Sequence, residues 1–210
     1  MMTRIILVFT AAAMAAGAQQ WEFGGMAGGS FLNTVGVTAP SGSARAGFAN
    51  GAAFGAWLGY NSNKHFGGEV RYSYLPSDLK LTSNGTSATF GGESHAVHYD
   101  IVFHTTKGES AVQFYGSVGG GMKIFRGTGT EHAAQNLSDF GYLTKTTQVE
   151  PMGTVAGGLK FRITPKVFLR TEVRDYITPF PSKVIAAPSG VKYGSILNNL
   201  VAMVGIGAEM

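Results

Sequence analysis

The stretch VFLRTEVRDY, Val167 to Tyr176, sets Arg170, Glu172 and Arg174 on alternate positions, with Val167, Leu169, Thr171 and Val173 between them. A helix would scatter those charges around its circumference, whereas a strand sends them all to one face and the apolar set to the other. A soluble sheet would bury the valines and wet the charges. The rest of the chain argues for the reverse, with apolar side chains outside and charges inside.

Of 210 residues 31 are glycine, while proline is only 7, which separates the chain from disordered Pro/Gly tracts. Charged residues make up 13%, about half the soluble average, leaving little charge for a water-facing surface. Arg4, the apolar run from Ile5 to Ala16 and the Ala16-Gly17-Ala18 site read as a secretory signal peptide over residues 1–18, followed by one domain over 19–210. The net charge of +4 comes without a Lys/Arg cluster, so no nucleic-acid partner is expected. The chain has no cysteine, so a secreted domain must be stable without disulfides. Beyond the leader no run reaches about 18 apolar residues, which excludes helical spans and leaves a closed barrel as the one membrane architecture.

Eight stretches read as strands: 20–31, 51–61, 65–75, 94–104, 111–125, 148–162, 167–177 and 196–210. They suit tilted membrane strands of about 9–11 residues better than soluble strands of about 5–6. The connections alternate long, short, long, short, long, short, long, from the Gly/Ser-rich 32–50 to the turn 163–166 and the long 178–195. That rhythm predicts an all-β, eight-stranded antiparallel up-and-down transmembrane barrel with turns toward the periplasm and loops outside. A Greek-key sandwich gives no reason to segregate loop lengths.

The phases agree. Val70, Tyr72 and Tyr74 oppose Glu69, Arg71 and Ser73; Val97, Tyr99, Ile101 and Phe103 oppose His98, Asp100 and His104. The glycine- and alanine-rich first two strands are harder to phase, and Trp57 points inward if Phe54, Leu58 and Tyr60 point outward. Trp21, Phe23, Tyr60, Phe66, Phe103, Phe114 and Phe161 mark an inner aromatic rim, and Tyr72, Tyr74 and Phe125 an outer one, with Phe31 beside them. The lumen then receives Glu69, Arg71, Asp100, Glu150, Lys160, Arg162, Arg170, Glu172 and Arg174. Such burial requires pairing, and eight strands leave a lumen that side chains can fill, so an interlocked ionic plug is expected.

These features resemble the small outer-membrane β-barrel family, similar to the N-terminal barrel of outer membrane protein A and to outer membrane protein X. The resemblance implies residence in the bacterial outer membrane, contact with its lipid, delivery by the barrel-insertion machinery, a monomer, and exposed loops that adhere to surfaces or partners. Met210 and Gly205 fit the family's C-terminal insertion signal, whereas Ala208 stands where an aromatic is common.

Candidate chemistry is sparse. His98, Asp100 and His104 share a face, with Ser117 and Ser73 on neighbouring strands, so a Ser/His/acid arrangement is conceivable if nucleophile and base touch. His98 and Asp100 alone are too few for a metal site, and no metal or cofactor is expected. GSVGGGMK, Gly116 to Lys123, lacks the ending of a phosphate loop and lies inside a strand. Arg45, Lys80, Arg126, Glu131, His132, Asp139, Lys145, Lys183 and Lys192 populate the loops, where an unknown ligand could dock. The expected role is a non-enzymatic structural or surface-interaction protein. A narrow or gated porin-like pore is the alternative, and a lipid-modifying enzyme a more distant one.

Overall fold

The computed structural model describes residues 20–105, 110–132 and 134–210, all-β with fifteen strands. In chain order these are β1 Gln20–Leu32, β2 Thr34–Ala39, β3 Gly42–Phe48, β4 Gly51–Asn61, β5 Phe66–Pro76, β6 Leu79–Ser83, β7 Thr86–Phe90 and β8 Gly92–His104. There follow β9 Val112–Gly127, β10 Tyr142–Leu143, β11 Thr147–Arg162, β12 Val167–Pro179, β13 Ile185–Ala186, β14 Lys192–Tyr193 and β15 Ile196–Glu209. The signal-peptide expectation for 1–18 lies outside the described residues.

Eight of the strands close a barrel in the order β1-β15-β12-β11-β9-β8-β5-β4, every neighbouring pair antiparallel. Their limits agree with the eight strands read from the sequence to within two residues. Closure matters because it pairs both edges of the sheet, leaving no backbone group to face hydrocarbon unsatisfied.

The pleat sorts the side chains as VFLRTEVRDY suggested. Phe23, Leu58, Val70, Ile101, Val118, Val155, Val173 and Val204, one from each barrel strand, are all 44–53% exposed. They form a continuous apolar belt, far larger than the exposed patches of soluble monomers. Arg170, Glu172 and Arg174 are buried in the lumen. Trp21, Phe23, Phe66, Tyr72, Phe103 and Phe114 stand exposed on the outer wall, and Tyr60, Tyr74 and Phe161 stand half-buried there. Phe125 does not belong to the girdle. It shares the inward phase of Tyr115 and Lys123, is fully buried, and stacks on Phe48 at 5.1 Å. Its position along the strand suggested the rim, but the side-chain period of two places it inside.

The long loops are not loose. β14-β2-β3-β6-β7 make a five-stranded sheet beyond the barrel, and β10 pairs with β13. The β6–β7 hairpin turns on Asn84 and Gly85, both at positive φ, a geometry that matches the strand twist. Leu32, Val35, Val37, Ala46, Phe48, Leu79, Leu81, Phe90, Phe125, Phe140, Leu143, Phe180, Val184, Ile185 and Leu197 form one apolar core. It caps the outer mouth of the barrel.

Candidate functional site

From the short-turn end upward, the lumen starts with Glu22, whose two oxygens accept from Lys160 Nζ at 2.8 and 2.6 Å. The ammonium also lies 5.2 Å from the Phe168 ring. Above it Arg170 forks onto Glu69 with bonds of 2.7 and 3.1 Å and donates to Glu172 at 3.0 Å. Glu172 is the hub: it also accepts from Arg71, from Arg174 Nε at 2.8 Å and from the Tyr115 hydroxyl at 2.8 Å. Arg174 continues to Asp100 at 2.5 Å and Thr154 at 2.8 Å. Four cations, Arg71, Lys160, Arg170 and Arg174, therefore interlock with four carboxylates, Glu22, Glu69, Asp100 and Glu172. The pairs other than Lys160–Glu22 have no solvent-exposed side-chain surface. Balanced charge and multiple charge-assisted bonds are what make so many buried ions tolerable.

Trp57 completes this layer, its ring 4.9 Å from the Arg170 guanidinium and 5.9 Å from that of Arg71. Its inward aim follows from that stacking and from the room its neighbours leave. A Cβ on Gly24 would come within 2.3 Å of the indole, and one on Gly207 within 2.5 Å of Phe168. The two glycines thus vacate lumen volume for two large rings.

Two of the charges assigned to the network from the sequence stand apart from it. Glu150 is half-buried at the outer end of β11 and accepts from Gln148. Arg162, at the opposite mouth, meets Glu209 at 3.2 Å with 28% of its side chain exposed. Both have the inward phase, but strand ends reach water and need no partner from the middle layer. The network's Glu22 escaped the sequence reading because its strand is mostly glycine and apolar residues, and its phase could not be set. Lys123, on the inward face of β9, lies outside the ionic network. It is fully buried among the Phe125 and Tyr176 rings, 5.0 and 5.4 Å away, and Asn199 accepts from it at 2.7 Å once the amide is oriented to satisfy both groups.

His98 Nδ1 lies 2.8 Å from Asp100, and the Ser117 hydroxyl donates to the other Asp100 oxygen at 3.4 Å. Asp100 sits between histidine and serine, so the nucleophile–base contact that a triad needs is missing from this trio. His104 faces Asn61 instead, at 3.2 Å, and Ser73 pairs with the Tyr176 hydroxyl at 2.8 Å. Among the described residues no three His, Cys, Asp or Glu gather in a metal-holding cluster.

With a closed barrel, an apolar belt and a polar lumen in place, the sequence also matches the outer membrane protein beta-barrel domain family over residues 5–200. The chain belongs to that family. It is a bacterial outer-membrane protein embedded in lipid. The barrel is similar in fold to the outer membrane protein OprG of Pseudomonas aeruginosa, with a TM-score of 0.61 at 14% identity, covering 92% of this chain and 96% of that one. It is also similar to Neisserial surface protein A, with a TM-score of 0.53 at 12% identity over 90% of this chain and 96% of that one. No curated protein matches the sequence.

Proposed function

We propose that this outer-membrane barrel is a non-enzymatic structural and surface-interaction protein, a closed and monomeric scaffold that holds a folded platform outside the cell. The observation that carries this reading is the external cap, in which distant loops converge on one apolar core instead of remaining separate. Ordering loops costs conformational entropy, and burial of that core offsets the cost, giving a surface rigid enough to recognise a partner. The ionic layer supports closure: Glu69, Arg71, Asp100, Arg170 and Arg174 are at most 1% exposed, so their charges reach neither mouth. The reading includes delivery by the barrel-insertion machinery, which the family membership supports.

Planar-bilayer recordings of the refolded protein test it. The closed scaffold gives no steady conductance above leak. A conductance that shifts with Glu172→Ala or Arg170→Ala identifies a pore instead. Mass spectra of the membrane lipids with and without the protein should coincide; a changed acyl pattern would establish lipid-modifying activity and overturn the non-enzymatic reading.

A further inference from the structure

The outer wall carries a polar cluster that neither the lumen nor the cap uses. On the lipid-facing side of β5, β8 and β9, the Tyr72 hydroxyl lies 2.8 Å from His95 Nδ1, and the Tyr72 and Tyr74 rings flank the imidazole with centroids at 6.0 and 5.1 Å. Tyr74 donates to one oxygen of Glu93 at 3.0 Å, and Arg126 Nη1 donates to the other at 3.3 Å. His95 Nε2 stands 3.8 Å from the same carboxylate. Register confirms that these groups are neighbours, with His95 opposite Tyr74 and Glu93 opposite Arg126.

Elsewhere around the outer rim the outward positions hold Phe31, Ile177, Pro179 and Ile196, and the one other polar pair there among the described residues, Asn198 donating to Asp175 at 3.1 Å, carries no cation. In this one sector a carboxylate, a guanidinium, an imidazole and two phenols share a patch at headgroup level. Tyrosine alone would be ordinary there. A buried-side carboxylate with both oxygens engaged is not, and its effect is to hold Arg126 in place. Arg126 spends one N–H on Glu93, has 57% of its side chain exposed, and finds no other side-chain partner among the described residues.

We infer that this patch is a binding site for the phosphorylated sugar headgroup of an outer-leaflet glycolipid. The guanidinium fork matches a phosphate geometrically, and Glu93 positions it without consuming the fork. A phosphate by itself would need only the arginine. The adjoining carboxylate, imidazole and phenols supply the mixed donors and acceptors that sugar hydroxyls satisfy, and the phenol rings give a flat amphipathic surface. The site is on the barrel wall and not on the cap, so it goes beyond the surface role proposed above and stands or falls separately.

The test uses the full refolded chain in nanodiscs, with native mass spectrometry to count retained lipid. The probes are a phosphorylated disaccharide glycolipid, its dephosphorylated form, phosphatidylglycerol and inorganic phosphate. The phosphorylated glycolipid should be retained at least about tenfold over phosphatidylglycerol, and Arg126→Ala should cut that retention about tenfold, as loss of a charge-assisted pair worth roughly 1.4 kcal/mol implies. Arg126→Lys should fall between, and Glu93→Gln should weaken binding by freeing the arginine. Lys192→Ala, in the cap, serves as the folded control. Retention by Arg126→Ala equal to wild type, with the barrel shown folded by its heat-shifted gel mobility, overturns the site. Equal retention of phosphatidylglycerol reduces it to a generic anionic surface, and displacement by millimolar inorganic phosphate reduces it to a phosphate site; either result overturns the glycolipid assignment.

Discussion

The barrel and its cap are two β structures with opposite interiors. In the barrel Val70, Val118 and Val173 face out while Glu69, Ser117 and Glu172 are buried. In the cap Leu79 and Leu81 are fully buried while Thr82 reaches the surface side of the same strand. One alternating period serves both, so the pattern by itself does not say which face is inside. The surrounding medium decides: hydrocarbon accepts the apolar face of the barrel strands, and water rejects that of the cap strands. The two regions therefore fail in different ways.

The largest effect is expected at the hub. Glu172→Ala leaves Arg71, Arg170 and Arg174 without their common acceptor, and removal of one partner from a buried ionic set costs about 3–5 kcal/mol. Unfolding of the refolded barrel in urea, followed by gel mobility before and after boiling, reads the loss. An unchanged midpoint would mean that the ionic layer does not stabilise the barrel.

In the cap the corresponding lesion is a cavity. Leu81→Ala in the buried face of β6 should cost about 2–5 kcal/mol of cap stability. The contrast predicts that protease then cuts the external segments while the barrel remains resistant. If barrel and cap melt together in this variant, the two regions are one cooperative unit and the distinction between them fails.

The membrane half of this contrast was legible in the sequence and the water-facing half was not. Strands such as β12 declare themselves because charge on one face and valine on the other can be read over ten residues. The cap strands are two to seven residues long, the longer ones rich in Gly, Ala, Ser and Thr, and pair across large separations: β3 meets β6, and β14 meets β2. Val35 and Val37 alternate, and so do Leu79 and Leu81, but short runs carry no evidence of their partners. The site divides similarly. Arg170 and Glu172 were evident from local alternation, whereas Glu22 meets Lys160 across 138 positions from a strand whose glycines hide its phase. The outward cluster of His95 was missed because Glu93 and Arg126 lie just beyond the stretches read as strands.

Lys123 stands at the junction of the two regions and separates their rules. It has aromatic rings and an amide around it, and no carboxylate within ion-pair distance among the described residues. Lys160 sits in the same lumen on Glu22. Lys123→Met should be neutral or stabilising by about 1 kcal/mol, because it relieves the burial of a charge that no carboxylate pairs directly. Lys160→Met should destabilise, because it strands Glu22. Equal losses in the two variants, measured in the same urea assay, would show that the cap offers Lys123 a compensation equivalent to a carboxylate.

The smallest expected effect tests how closely the cap resembles a soluble core. Tyr193 donates to the backbone carbonyls of Phe140 and Ala186 at 2.9 and 3.2 Å and so ties β14 to the β9–β11 connection and to β13 within its own connection. Burial pushes its phenol up to about 12 from the ordinary 10, because the charged form would lose hydration. The folded cap therefore holds this proton more tightly than the unfolded chain does. Its contribution is complete below about pH 10 and is lost as pH rises through about 12, where the folded phenol also ionises. Protease resistance of the external segments should accordingly decline across that window. Tyr193→Phe should cost about 1 kcal/mol at neutral pH through the lost hydrogen bonds and should flatten the alkaline decline. A decline of the same size in the variant would assign the alkaline sensitivity to other tyrosines and leave Tyr193 a neutral packing residue.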